Sequence, residues 1–96
     1  MDDSDIGDLV RMNVSEWLEK VSECACVVCG ARPIEIHHPE TIRDKLSDYY
    51  VAALCAECHR GPIGVHGLHR MEFERRTKIN QVDLVKRTIA QVMRDL

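Results

Sequence analysis

The sequence predicts a single α+β domain whose own core is too small to hold it unaided, and three observations lead there. The chain has 96 residues but only one Trp, two Tyr and one Phe to fill an interior, so burial leaves a thin margin of stability. β-Branched residues around Gly30 and Pro33 read as short strands, whereas Val82, Val85, Ile89, Val92 and Leu96 recur at helical spacing. Five Cys and five His crowd between Cys24 and His69, and four of the cysteines fall in the pairs Cys26-x-x-Cys29 and Cys55-x-x-Cys58.

Residues 1–12 are rich in Asp and poor in apolar side chains, which predicts a flexible acidic arm ahead of one domain over 13–96. Ser15 can cap a helix over 16–23, with Glu16 and Glu19 near its positive end and Trp17, Leu18 and Val21 facing inward. Val27, Val28, Ile34 and Ile36 then predict a turn and a strand that delivers His37 and His38. Residues 40–48 are polar and read as a loop or one helical turn, before a second strand from Tyr49 to Leu54 that runs into Cys55.

Gly61, Pro62, Gly64 and Gly67 require a tight loop after His59, followed by a helix from near Leu68 to about Ile79. Asn80 interrupts, and the apolar stripe from Val82 predicts a closing helix over 81–95 outside a core of 24–79.

Two residues between cysteines let a knuckle turn aim both sulfurs at one ion, so Cys26, Cys29, Cys55 and Cys58 make a four-thiolate shell for structural zinc. A hairpin between the pairs would return the chain to its start. Cys24 is a rival to Cys26 as ligand, or otherwise a packed thiol. An odd number of cysteines suits a disulfide framework badly, and no apolar run nears the roughly 20 residues that span a bilayer. The first residues are acidic rather than a basic leader, and a cytoplasmic protein without membrane contact is expected.

The formal charge of −3 hides an asymmetry. Up to Cys58 there are 5 basic and 12 acidic residues, and beyond it 8 basic and 4 acidic, giving −7 and +4. Arg60, Arg70, Arg75 and Arg76 are therefore candidate contacts to nucleic-acid phosphates, with a solvated face paired to Glu72 or Glu74 as the competing expectation.

Adjacent strand residues point to opposite sides, so one histidine of the 37–38 doublet can hold a metal while the other faces a substrate. Glu35 and Glu40 flank the doublet as candidate acceptors for a histidine N–H.

Cys26-Val-Val-Cys29-Gly30, Ile36-His37-His38 and Leu54-Cys55-Ala-Glu-Cys58-His59 resemble the HNH, or ββα-metal (His-Me finger), nuclease superfamily in its members braced by CxxC pairs, over about residues 24–70. The run from Leu54 to Gly67, with Val82-Asp83-Leu84, is similar to small phage proteins related to the recombination-enhancement nucleases.

The resemblance implies a zinc-stabilised ββα-metal finger with flanking helices, acting as a metal-dependent DNA endonuclease in recombination or DNA processing. It implies that His38 is the general base, while His37, His59 and His66 hold a catalytic magnesium, manganese or zinc ion, with His69 in reserve. Tyr50 stands at the family's usual Asn position, and six residues separate His59 from His66 where the family's last ligand commonly follows sooner. The alternative expectation is a catalytically inactive zinc module that binds DNA or a host recombination or defence protein.

Overall fold

The computed structural model describes residues 12–39 and 48–95. Residues 1–11 of the acidic arm expected over 1–12, residues 40–47 of the loop or helical turn expected over 40–48, and Leu96 lie outside the described residues. The elements in chain order are helix α1 (Val14–Ser22), strands β1 (Glu35–His37) and β2 (Ala52–Leu54), and helices α2 (Ala56–Arg60), α3 (Arg70–Thr77) and α4 (Gln81–Asp95). The architecture is α+β, as expected.

Helix α1 starts two residues before the expected point because Asn13, not Ser15, is its cap. Asn13 Oδ1 accepts from the Glu16 amide at 2.8 Å, and Asn13 Nδ2 donates to the Glu16 carboxylate at 2.9 Å. A cap satisfies one of the orphan amides of the first turn, and Asn fills that role as well as Ser does. Trp17 and Val21 are fully buried, as expected, and Leu18 is half-buried.

β1 and β2 pair antiparallel, with Glu35 opposite Leu54, Ile36 opposite Ala53 and His37 opposite Ala52. Both faces of β2 are covered, and its side chains alternate between two apolar clusters. Ala53 packs with Trp17, Val21, Val85, Ile89 and Val92. Ala52 and Leu54 pack with Val65, Phe73, Ile79 and Leu84.

The second strand is shorter than expected: Tyr49 and Tyr50 sit in a turn, where the Tyr49 carbonyl accepts the Trp17 indole N–H at 2.9 Å. A buried indole needs such a partner, and this one ties α1 to the start of β2. Alanine at position 53 leaves room for α4, whose Thr88 hydroxyl accepts the Ala53 amide at 3.1 Å.

The knuckle that begins at Cys26 is pinned from three sides. Gly30, at φ 80°, closes the turn, and its amide bonds to the Cys26 carbonyl at 2.8 Å. Only a residue without Cβ adopts that φ without strain. The Val27 amide reaches the Ala53 carbonyl, and the Gln91 amide group both donates to and accepts from the backbone of Ala25.

α4 covers the residues predicted, but its buried stripe is rotated from the expected one. Leu84, Val85, Thr88, Ile89 and Val92 face inward, while Val82 is 50% exposed. Asn80 is an N-cap rather than a mere break: its Oδ1 accepts the Asp83 amide, and Asp83 Oδ2 accepts the Asn80 amide. Among the described residues no helix is long and apolar enough to cross a membrane.

Candidate metal centres

The sulfurs of Cys26, Cys29, Cys55 and Cys58 all lie within 4.8 Å of one another. Zinc–sulfur bonds of about 2.3 Å in a tetrahedron put sulfurs roughly 3.8 Å apart, and Cys29 Sγ and Cys55 Sγ are at 3.5 Å. These four cysteines could hold a metal ion such as zinc.

Burial would raise the Cys26 thiol, but hydrogen bonds from the backbone of Cys55, Cys29 and Val28 bring it down to about 7. Burial pushes Cys58 up, and its sulfur neighbours add to that. One thiolate forms easily, and its charge then opposes the next, so a cation is the natural partner of all four. Cys24 lies apart from the tetrad, buried in the cluster around Trp17 with its Sγ 3.7 Å from the Lys20 carbonyl oxygen.

The second cluster is built from histidines. His37 closes β1, His59 sits on α2 and His66 in the following loop, and one ring nitrogen from each lies within 4.8 Å of the others. Ring centroids are 5.2 Å apart for His37 and His59, 5.1 Å for His37 and His66, and 4.7 Å for His59 and His66.

The six-residue gap before His66 is closed by the glycine loop folding back on α2. The amides of Val65 and His66 bond to the carbonyls of Cys58 and His59 at 2.8 and 2.9 Å. Gly64 permits the approach, since a Cβ there would strike the backbone of Glu57 and Cys58.

Neighbouring acceptors set the tautomers. His37 Nε2–H donates to Gln81 Oε1 at 2.7 Å, leaving Nδ1 buried and without a partner among the described residues. His59 Nδ1–H donates to Glu35 Oε1 at 2.8 Å, leaving Nε2 as a lone pair 3.1 Å from His66 Nε2. Two nitrogens bound to one ion at about 2.0–2.1 Å stand at close to this separation.

Burial lowers the His37 pKa, and the nearby imidazoles act in the same direction, so the ring is neutral and able to ligate at neutral pH. The Arg60 guanidinium, with His59, holds the Glu35 carboxyl down at about 2, so it stays an ionised acceptor. Glu35 and His37 are two apart on one strand and share a face, a relation legible in sequence. Gln81 is 44 residues from His37 and had no such signal.

A cavity of about 210 Å³ opens beside the triad, lined by His37, Val65, His66, His69, Arg70 and Gln81. His69 belongs to this wall and to the start of α3, not to the triad. His38 is exposed and belongs to neither; its Nε2 is 3.2 Å from Asp48 Oδ1.

The arginines divide. Arg60 is paired with Glu35, and Arg75 and Arg76 with Glu72, whereas Arg70 faces the cavity and has no ion pair among the described residues.

A folded-state pKa below the ordinary 6.5 of His37 means that the unfolded chain takes up its proton first, so this group's contribution to stability is lost as pH falls. Protons also compete with any cation for the His37 ring. We expect Mn²⁺ binding at the triad, followed by calorimetry, to be constant above pH 7 and to weaken progressively below about 6.5. Binding that strengthens on acidification would contradict the assignment of neutral imidazoles as ligands.

Compared with protein-family models, curated proteins and solved structures, the chain matches none.

Proposed function

We propose that this chain is an HNH-type, metal-dependent endonuclease that hydrolyses DNA phosphodiesters. The observation that carries the reading is the convergence of His37, His59 and His66, with the buried Nδ1 of His37 unpartnered and a cavity alongside. The order β1, β2, α2, with Cys55 just ahead of α2 and Cys58 within it, supports reading this part of the chain as a ββα-metal finger braced by structural zinc.

In this proposal the triad holds a divalent ion, whether magnesium, manganese or zinc. When bound, that ion supplies Lewis acidity to a phosphate oxygen and offsets charge on the leaving oxygen. His38 follows buried His37 directly after the end of β1 and is exposed, open to solvent and substrate. With Nε2 turned to Asp48, its Nδ1 can take the proton of the attacking water while the carboxylate stabilises the imidazolium that results. Arg70 supplies a guanidinium for phosphate oxygens at the cavity wall.

The zinc-loaded chain should nick single-stranded or duplex DNA when magnesium, manganese or further zinc is supplied. DNA that is retarded but uncut under every metal condition would instead favour a binding module.

A further inference from the structure

We propose that Gln81 is a two-sided positioning residue: its carbonyl oxygen fixes the His37 tautomer that offers Nδ1 to the cation, and its amide N–H groups donate to a phosphate oxygen in the adjoining cavity. This rests on reading His37, His59 and His66 as a metal site.

Gln81 is the first residue of α4 and is 4% exposed. A buried primary amide is costly unless its polar atoms are partnered. Its Oε1 takes the His37 Nε2 proton at 2.7 Å, but its Nε2 has no partner among the described residues. The reverse amide orientation would set N–H against His37 Nε2, drive the ring proton to Nδ1 and close the ligand position.

The free donors belong to a side chain that lines the cavity with His66 and Arg70. Arg70 opens α3 as Gln81 opens α4, so the positive ends of two helices meet the same wall. An unpaired amide donor, a guanidinium and two helix starts beside a cation site describe a receptor for an oxyanion, and in the proposed reaction that oxyanion is a backbone phosphate of the nucleic acid.

Two substitutions separate the roles. Gln81→Glu keeps an acceptor for His37 but replaces the donor by a charge that repels phosphate, whereas Gln81→Met removes both. Chains carrying a single zinc, in the tetrathiolate site, and checked for an unchanged thermal transition are titrated with Mn²⁺ by calorimetry. Inorganic phosphate is then added, with ³¹P relaxation as the readout.

Gln81→Met is expected to weaken Mn²⁺ about 10- to 100-fold, as loss of a histidine's hydrogen-bond partner does at metal sites. Gln81→Glu should retain Mn²⁺ affinity while losing phosphate binding by at least about tenfold. Native Mn²⁺ affinity in folded Gln81→Met overturns the proposal, as does native phosphate affinity in Gln81→Glu. A native chain that takes up no Mn²⁺ overturns the metal reading along with it.

Discussion

Cys55→Ser is expected to leave the chain unfolded at neutral pH, and a strong chelator should do the same to the native protein. Cys55 immediately precedes α2, is 7% exposed and packs with Leu54, Phe73 and Leu84, so its sulfur joins the tetrad to one of the two apolar clusters. Binding of structural zinc contributes about 10–16 kcal/mol in small zinc-dependent peptides, which matches or exceeds the roughly 5–15 kcal/mol net stability of a whole domain.

The knuckle at Cys26 has backbone ties of its own to β2 and α4, but α2 reaches it through the sulfurs. Losing one ligand would therefore detach from the knuckle the helix that carries His59, leaving it its ties to Glu35 and the glycine loop. A far-UV circular dichroism melt checks this: absence of a cooperative transition is expected, and a native transition in the variant or the metal-free chain would contradict a structural ion.

The cysteine pairs and the closing helix were legible because each is a local pattern, a two-residue spacing in one case and a repeat of three and four in the other. The phase of that helix was not. Val82 fits the same periodic template as Val85 and Ile89, three and seven residues on, and only packing against β2 decides that it faces outward while Leu84 and Thr88 turn in. The start of α1 turned on a choice between two good caps, Asn13 and Ser15, that local sequence leaves open.

His37, His59 and His66 come together through backbone bonds between the glycine loop and α2 that no spacing rule encodes. Glu35 was in view as an acceptor, but Gln81 was not, because its contact with His37 exists only once α4 docks. Three of the four candidate DNA-binding arginines are engaged by carboxylates, a pairing visible in the spacing of Glu72 to Arg75 and Arg76 but not for Arg60 and Glu35.

His38→Ala is expected to lower metal-dependent DNA cleavage by about 10²- to 10⁴-fold, the range that a positioned general base contributes. The ring is exposed and outside both apolar clusters, so the variant should fold normally and keep its metal. His37→Ala should act differently, losing affinity for the second ion because a buried ligand and its link to Gln81 both disappear. Cleavage rates measured with metal content for the two variants separate a base from a ligand. Equal loss of metal in both, or undiminished cleavage by His38→Ala, would contradict the division of labour between the adjacent histidines.

Metal stoichiometry tests the existence of two centres most directly. After equilibration with excess Zn²⁺ and removal of loosely held ion, elemental analysis of the folded native chain should find two ions per molecule, and His37→Ala only one. A native chain that retains a single zinc, with His37→Ala indistinguishable from it, would leave the tetrathiolate site standing and contradict a histidine centre.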